Sequence, residues 1–151
     1  NDNFERYLSI ARTMIAAVAL GISYSSLIPA VETVKTVKDV NNQAVSNSQS
    51  AQFSLADLFA EMEAARMLTY LSADCVDKNI HNIKYATMAK VQATNAAAQV
   101  STGALQLIGN FGYTTNEDFT DIINSAISSQ IRGGTNRVQK NRIYEYMLAK
   151  K

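Results

Sequence analysis

Residues 82–108, NIKYATMAKVQATNAAAQVSTGALQLI, carry the reading that decides how this chain folds. Ala86, Ala89, Ala93, Ala97, Val100 and Ala104 recur at steps of three and four residues, which is the spacing of one helix face. All are small, so a neighbouring helix can approach this face closely. The run holds no proline, and Gly109 to Tyr113 supplies the stop. A helix of this length with an alanine face belongs inside a bundle.

The flanking segments agree. Before it, Ser54 and Asp57 form a weak capping box that opens a second helix with the stripe Leu55, Leu58, Met62, Ala65, Thr69 and Val76. Asn41 to Gln52, rich in Asn, Gln and Ser, reads as a loop. The first helix is expected over Phe4 to Lys38, with Leu8, Ala11, Ile15, Val18 and Ile22 as its stripe. Pro29, the sole proline, should kink or break it. After the alanine helix comes a fourth, from about Asn116 to Ile131, carrying Phe119, Ile122, Ile123 and Ala126. Gly133 and Gly134 break it, and a last short helix follows Thr135. No segment alternates as a half-buried strand does. The expected fold class is all-α: an antiparallel four-helix bundle with an extra short C-terminal helix.

Composition bounds the function. The 151 residues suffice for one domain with its own core, 1–151. Fourteen basic and thirteen acidic side chains leave a net charge of +1, too balanced for a broad nucleic-acid footprint. Cys75, the one cysteine, excludes an internal disulfide and fits a reducing, cytoplasmic setting. The apolar run Met14 to Ile22 is too short to span a bilayer and lacks the flanks of a signal peptide, so no membrane span is expected. The chain opens at Asn1 without an initiator methionine, and it is expected to be a piece of a longer product.

Candidate chemistry is sparse. A di-metal bundle needs Glu-x-x-His pairs, and the single histidine, His81, has no such partner; Glu61 and Glu63 are not followed by histidine at the required step. Cys75 lacks a base and orienter of its own and reads as a small apolar helix residue. Arg132, Arg137, Lys140 and Arg142 read as a solvated basic face, or alternatively as a phosphate contact. Glu63 and Arg66 are spaced to pair on one helix face. Thr135 is a good N-cap, and a helix N-terminus also offers donors to an anion.

Three segments, in order, resemble the C-terminal domain of the acyl-CoA dehydrogenase family. They are Leu55-Ala56-Asp57 with Glu63 through Tyr70; Met88-Ala89-Lys90 with Ala104 through Gly109 and Gly112-Tyr113; and Gly134 through Gln139 with Arg142-Ile143. The resemblance implies a bundle attached to an N-terminal helical domain and a middle β-domain, in a homo- or hetero-oligomer, with FAD between domains and subunits. It implies an acyl-CoA substrate that loses its α-proton to a carboxylate while hydride passes from the β-carbon to the flavin, and an electron-transfer flavoprotein as redox partner. Gln106 and Gly109 would face the adenine half of a neighbouring subunit's FAD, Thr135 would contact flavin, and Arg12 would lie near substrate.

The departures from the family pattern are sharper than the matches. The usual base, a glutamate before the Gly-Thr pair, is replaced by Gly133. The alternative base position on the first helix is Ala11, and Glu5 lies about two turns earlier. The family's Arg-x-x-Phe-Gly, which contacts the pyrophosphate, should fall near Val37 to Asn42 and is absent; Asn110 replaces a second glycine. Three functions are compatible with this pattern: an FAD-dependent dehydrogenase of acyl-CoA thioesters, a catalytically degenerate assembly subunit beside an active homologue, and a flavin-dependent oxygenase on the same fold. The dehydrogenase-like Gly-Thr segment ranks the oxygenase last.

Overall fold

The computed structural model describes residues 2–80, 83–110, 112 and 118–149. His81, Asn82, Tyr113 and Asn116, which figured in the sequence reading, lie outside the described residues. Five α-helices are described: α1 (Asp2–Thr36), α2 (Gln49–Asp77), α3 (Ile83–Ile108), α4 (Asp118–Ser129) and α5 (Asn136–Leu148).

Cross-helix contacts fix the directions. Arg12 meets Thr87 near the N-terminal ends of α1 and α3, and Ala30 shares a cluster with Ala104 near their C-terminal ends, so these helices are parallel. Thr13 pairs with Ser72, and Tyr24 with Glu63, so α2 runs against α1. Phe119 packs beside Ala104 while Gln130 reaches Asn95, so α4 runs against α3. This is an up-down-up-down bundle, and α5 continues down the side of α3.

The core follows from the alanine face. Ala86, Ala89, Ala93, Ala97, Val100 and Ala104 are all buried, and α3 lies at the centre, against each of the other helices. The opposing face of α1 is small and partly polar: Ser9, Arg12, Ala16, Ala19, Ser23, Leu27, Ala30 and Val34. The expected α1 stripe is thus rotated from the buried face: Leu8, Ala11, Ile15 and Ile22 are half-buried, Ile22 against the core, and Val18 is 55% exposed. An alanine face favours small partners at close range, so Ala16, Ala19, Ser23 and Ala30 alternate with Leu20, Leu27 and Val34 on the buried face, while Met14, Val18 and Ile28 are turned outward. Buried hydroxyls on these helices bond backward within their own helix, Ser23 to Ala19 O and Ser26 to Ile22 O and Ser23 O.

Two boundaries differ from expectation. α2 starts at Gln49, capped by Ser48, whose Oγ accepts from the Ala51 amide at 3.3 Å; Ser54 lies inside the helix. Asn41 to Gln52 is therefore only partly a loop, and it includes a 3-10 turn over Val45–Asn47. Pro29 does not break α1, which continues to Thr36. The lost donor and ring clash cost about 3 kcal/mol, and the 35-residue helix tolerates them because its next turns bury Ala30 and Val34.

α1 is long and apolar enough to cross a bilayer by length and composition, with a mean hydropathy of 1.8 over its best window. Its buried Ser9, Arg12, Ser23 and Ser26 and its packing on α3 match the core helix of a bundle.

Candidate functional site

The turn between α4 and α5 gathers most of the residues that the sequence singled out. Gly133 and Gly134 have φ of +65° and +91°, conformations that L side chains rarely adopt. The turn closes through the Asn136 amide, which donates to Gln130 O at 2.9 Å. Thr135 then caps α5, its Oγ1 accepting from the Val138 amide at 3.4 Å. One acceptor site is used in that cap, and among the described residues the hydroxyl proton remains to donate.

Buried side chains hold this turn from beneath. Lys90 Nζ donates to Gln130 O and Gly134 O, each at 3.0 Å, and to Asn136 Oδ1 at 2.7 Å. Gln139, also buried, donates from Nε2 to Gly133 O at 3.2 Å. Asn136 Nδ2 donates to Thr94 Oγ1 and Asn95 Oδ1, each at 2.9 Å. Sequence reasoning missed these supports. The available signal was a lysine placed on the inward face of an alanine helix, between Ala86 and Thr94.

The turn lies against α1. A Cβ built on Gly133 would come within 2.5 Å of Ile15 Cδ1. Ala11 is one helical turn before Ile15 on the same face, so Gly133 stands against the face of α1 that carries Ala11, and these are the two positions at which the resemblance implies a base. Neither carries a carboxylate. Arg12 is buried here, and its Nη1 donates to Thr87 Oγ1 at 3.1 Å. Burial, then the charge of Arg142, pushes its guanidinium below the usual range, while Tyr146 and Glu5 act the other way. Burial also pushes the Tyr146 phenol up. This corner therefore sets Arg12 and Arg142 beside Glu5 and Tyr146.

Gln106 and Gly109 stand further along α3. Gln106 is exposed and lines a groove of about 620 Å³ with Leu58, Asn95, Gln99, Thr102 and Gln130. Its walls present four carboxamides, each offering a donor and an acceptor. Gly109 has φ +61°, and the space where a side chain would begin is open. Asn95 and Gln130 belong both to this groove and to the support of the turn, so the groove runs from Gln106 toward the turn.

The remaining candidates separate from this region. Cys75 is buried. Arg132, Arg137 and Lys140 are exposed, and Arg132 Nη2 donates to Ser128 Oγ at 3.4 Å. Arg66 Nε donates to both Glu63 oxygens at 3.0 Å, the local pair expected from their spacing. Among the described residues, no group of three or more His, Cys, Asp or Glu side chains could hold a metal ion.

The family model for the acyl-CoA dehydrogenase C-terminal domain matches residues 3–148. The chain belongs to the acyl-CoA dehydrogenase family. It is 36% identical to an acyl-CoA dehydrogenase of Bacillus subtilis over 93% of this chain and 37% of that protein. It is 33% identical to the mitochondrial short-chain specific acyl-CoA dehydrogenase of Mus musculus, over 93% of this chain and 34% of the relative. Among solved structures, butyryl-CoA dehydrogenase from Megasphaera elsdenii superposes with a TM-score of 0.89 at 33% identity, covering 93% of this chain and 37% of that one. The chain thus spans a little over a third of the length of these relatives.

Proposed function

We propose that this chain is the C-terminal domain of an FAD-dependent, acyl-CoA dehydrogenase-type flavoprotein, and that it shapes the reaction site without supplying the base. The observation that carries this reading is Gly133: a residue without a side chain, in left-handed backbone, where the family pattern has glutamate. The only other base position, Ala11, lies on the α1 face that Gly133 stands against and is equally inert.

The residues present fit the cofactor on one side only. The carboxamides around Gln106 can read the edge of an adenine, and the open backbone at Gly109 allows close approach. The pyrophosphate side does not fit. Segment 37–43 is a turn built around a carboxylate, with Asp39 Oδ1 accepting from the Asn41 and Gln43 amides at 2.9 Å, and a carboxylate repels a diphosphate. FAD, when bound, supplies the hydride acceptor. The chain's own residues then have distinct tasks: Thr135 offers its hydroxyl proton to an acceptor at the turn, Gln106 holds the adenine edge, and Arg12 adds positive charge near an acyl-CoA thioester.

A second reading follows from the same glycine. In an assembly with an active homologue, the carboxylate comes from the partner subunit, and this domain completes the cofactor site. The test is the visible spectrum of the intact protein, purified alone and with whatever accompanies it, followed by Gly133→Glu. A flavin spectrum from the protein alone, with dehydrogenase activity gained by Gly133→Glu, supports an enzyme lacking only its base. Flavin bound only when a homologue co-purifies, with no gain from Gly133→Glu, supports the assembly subunit. A colourless protein under both conditions overturns the flavoprotein reading.

A further inference from the structure

Lys90 is fully buried, and among the described residues no carboxylate pairs with it. A buried ammonium without a counter-ion is costly, and it persists only where hydrogen bonds replace its water. Here the replacement is complete, because an ammonium has three protons and Lys90 has three acceptors at 2.7–3.0 Å. All three belong to the segment from Gln130 to Asn136, at least 40 residues away in sequence. Two are main-chain carbonyls, from either side of Gly133. The third, Asn136 Oδ1, belongs to the first residue of α5, whose Nδ2 is itself tied to Thr94 and Asn95 on α3.

We propose that Lys90 is the positioning residue of this turn: its ammonium fixes the backbone on which Gly133 and Thr135 stand, and so sets where the α5 N-terminus faces the site. The glycine backbone accounts for the need. Two successive residues at positive φ are conformationally permissive, so the turn has little preference of its own for one geometry. Carbonyl ties on both sides of Gly133 select one. Lys90 itself does not reach a ligand, since its side chain is sealed and its protons are committed. The geometric claim stands without the flavoprotein reading; only the consequence for the cofactor rests on it.

The experiment is hydrogen exchange on the intact protein, comparing wild type with Lys90→Met, which keeps the apolar stem and removes the ammonium. Amides in 130–139, including those of Asn136 and Gln139, are expected to exchange at least tenfold faster, while amides in 91–100 change less than threefold. Unchanged protection in 130–139 overturns the proposal. A uniform loss across both segments also overturns it, because Lys90 is then only a core residue. Should Lys90→Met not fold, Asn136→Ala removes the nearest acceptor and is expected to give the same local signature. Flavin titration on the same samples, alone and with any homologue that co-purifies, separates the two readings: local exchange changes with no flavin bound under either condition leave the positioning role standing and the flavoprotein reading fallen.

Discussion

Replacing Gly133 tests the turn directly, through a series of Asn, Ala and Glu. At φ +65° an ordinary side chain meets the carbonyl that follows it, which costs roughly 1–2 kcal/mol. A Cβ also falls 2.5 Å from Ile15 Cδ1. That atom is the end of a flexible side chain, so Ile15 can rotate away for about 0.5–1.5 kcal/mol. Gly133→Ala should therefore lose about 1.5–3.5 kcal/mol, and Gly133→Glu a similar amount, since its added carboxylate extends into solvent. Asparagine tolerates left-handed backbone, so Gly133→Asn keeps only the Ile15 cost, roughly 0.5–1.5 kcal/mol. Urea unfolding with a common m-value reads all three. If Gly133→Ala proves as stable as wild type, the turn does not require glycine, and the reasoning from its positive φ is refuted. The series also calibrates the activity test: a Gly133→Glu protein that is inactive because it is unfolded is recognised by its alanine counterpart.

Other outcomes are equally specific. Ser48→Ala should cost about 0.5–2 kcal/mol through loss of the α2 cap, whereas Ser54→Ala, inside the helix, should fall within ±0.5 kcal/mol in the same denaturation assay. Ala97→Leu forces a large side chain into the α3 face and should cost roughly 1–3 kcal/mol or more, lowering the thermal midpoint. Burial, then the charge of Arg12, pushes the Lys90 ammonium down to about 8 from an ordinary 10.5. Between these values the unfolded chain holds a proton that the folded one has released, so stability rises with pH, by at most about 1.4 kcal/mol per unit. Below pH 8 both states are protonated and this slope vanishes; Lys90→Met should lack it, which stability measured from pH 7 to 10.5 will show. Tyr146, raised by burial, works in the opposite direction at the alkaline end but is common to both proteins.

The sequence showed the bundle because its decisive signal is steric and periodic. Alanines at steps of three and four can only mean a closely approached helix face, and every one of those in α3 is buried. The α1 face was misjudged for a related reason. Large apolar residues alone were taken for the core side, but a helix packed on alanines also uses Ala16, Ala19 and Ala30, and hydroxyls that satisfy themselves, beside Leu20 and Leu27. The α2 start was missed because Ser48 caps without an acidic residue three positions on, while Ser54 and Asp57 imitate a cap inside the helix. At the site, the glycines and Thr135 were legible as local turn chemistry. The partners of Lys90, Gln130 and Gln139 were not, since they lie 40, 40 and six residues away; the helical register marks Lys90 as inward-facing but does not say what it meets.

The self-satisfied hydroxyls of α1 bear on how the chain finds its alignment. An interface of alanines repeating every four residues, such as Ala89, Ala93 and Ala97, looks nearly the same after sliding by one helical turn of roughly 5.4 Å. Ser23 and Ser26 give no objection to such a slide, because their bonds travel with their own helix. The choice among offsets falls to the ends: Arg12 finding Thr87 at one, and Phe119 filling the space beside Ala30 and Ala104 at the other. A chain with both ends weakened should collapse as compactly as the native one yet settle into more than one offset, exchanging between them instead of unfolding.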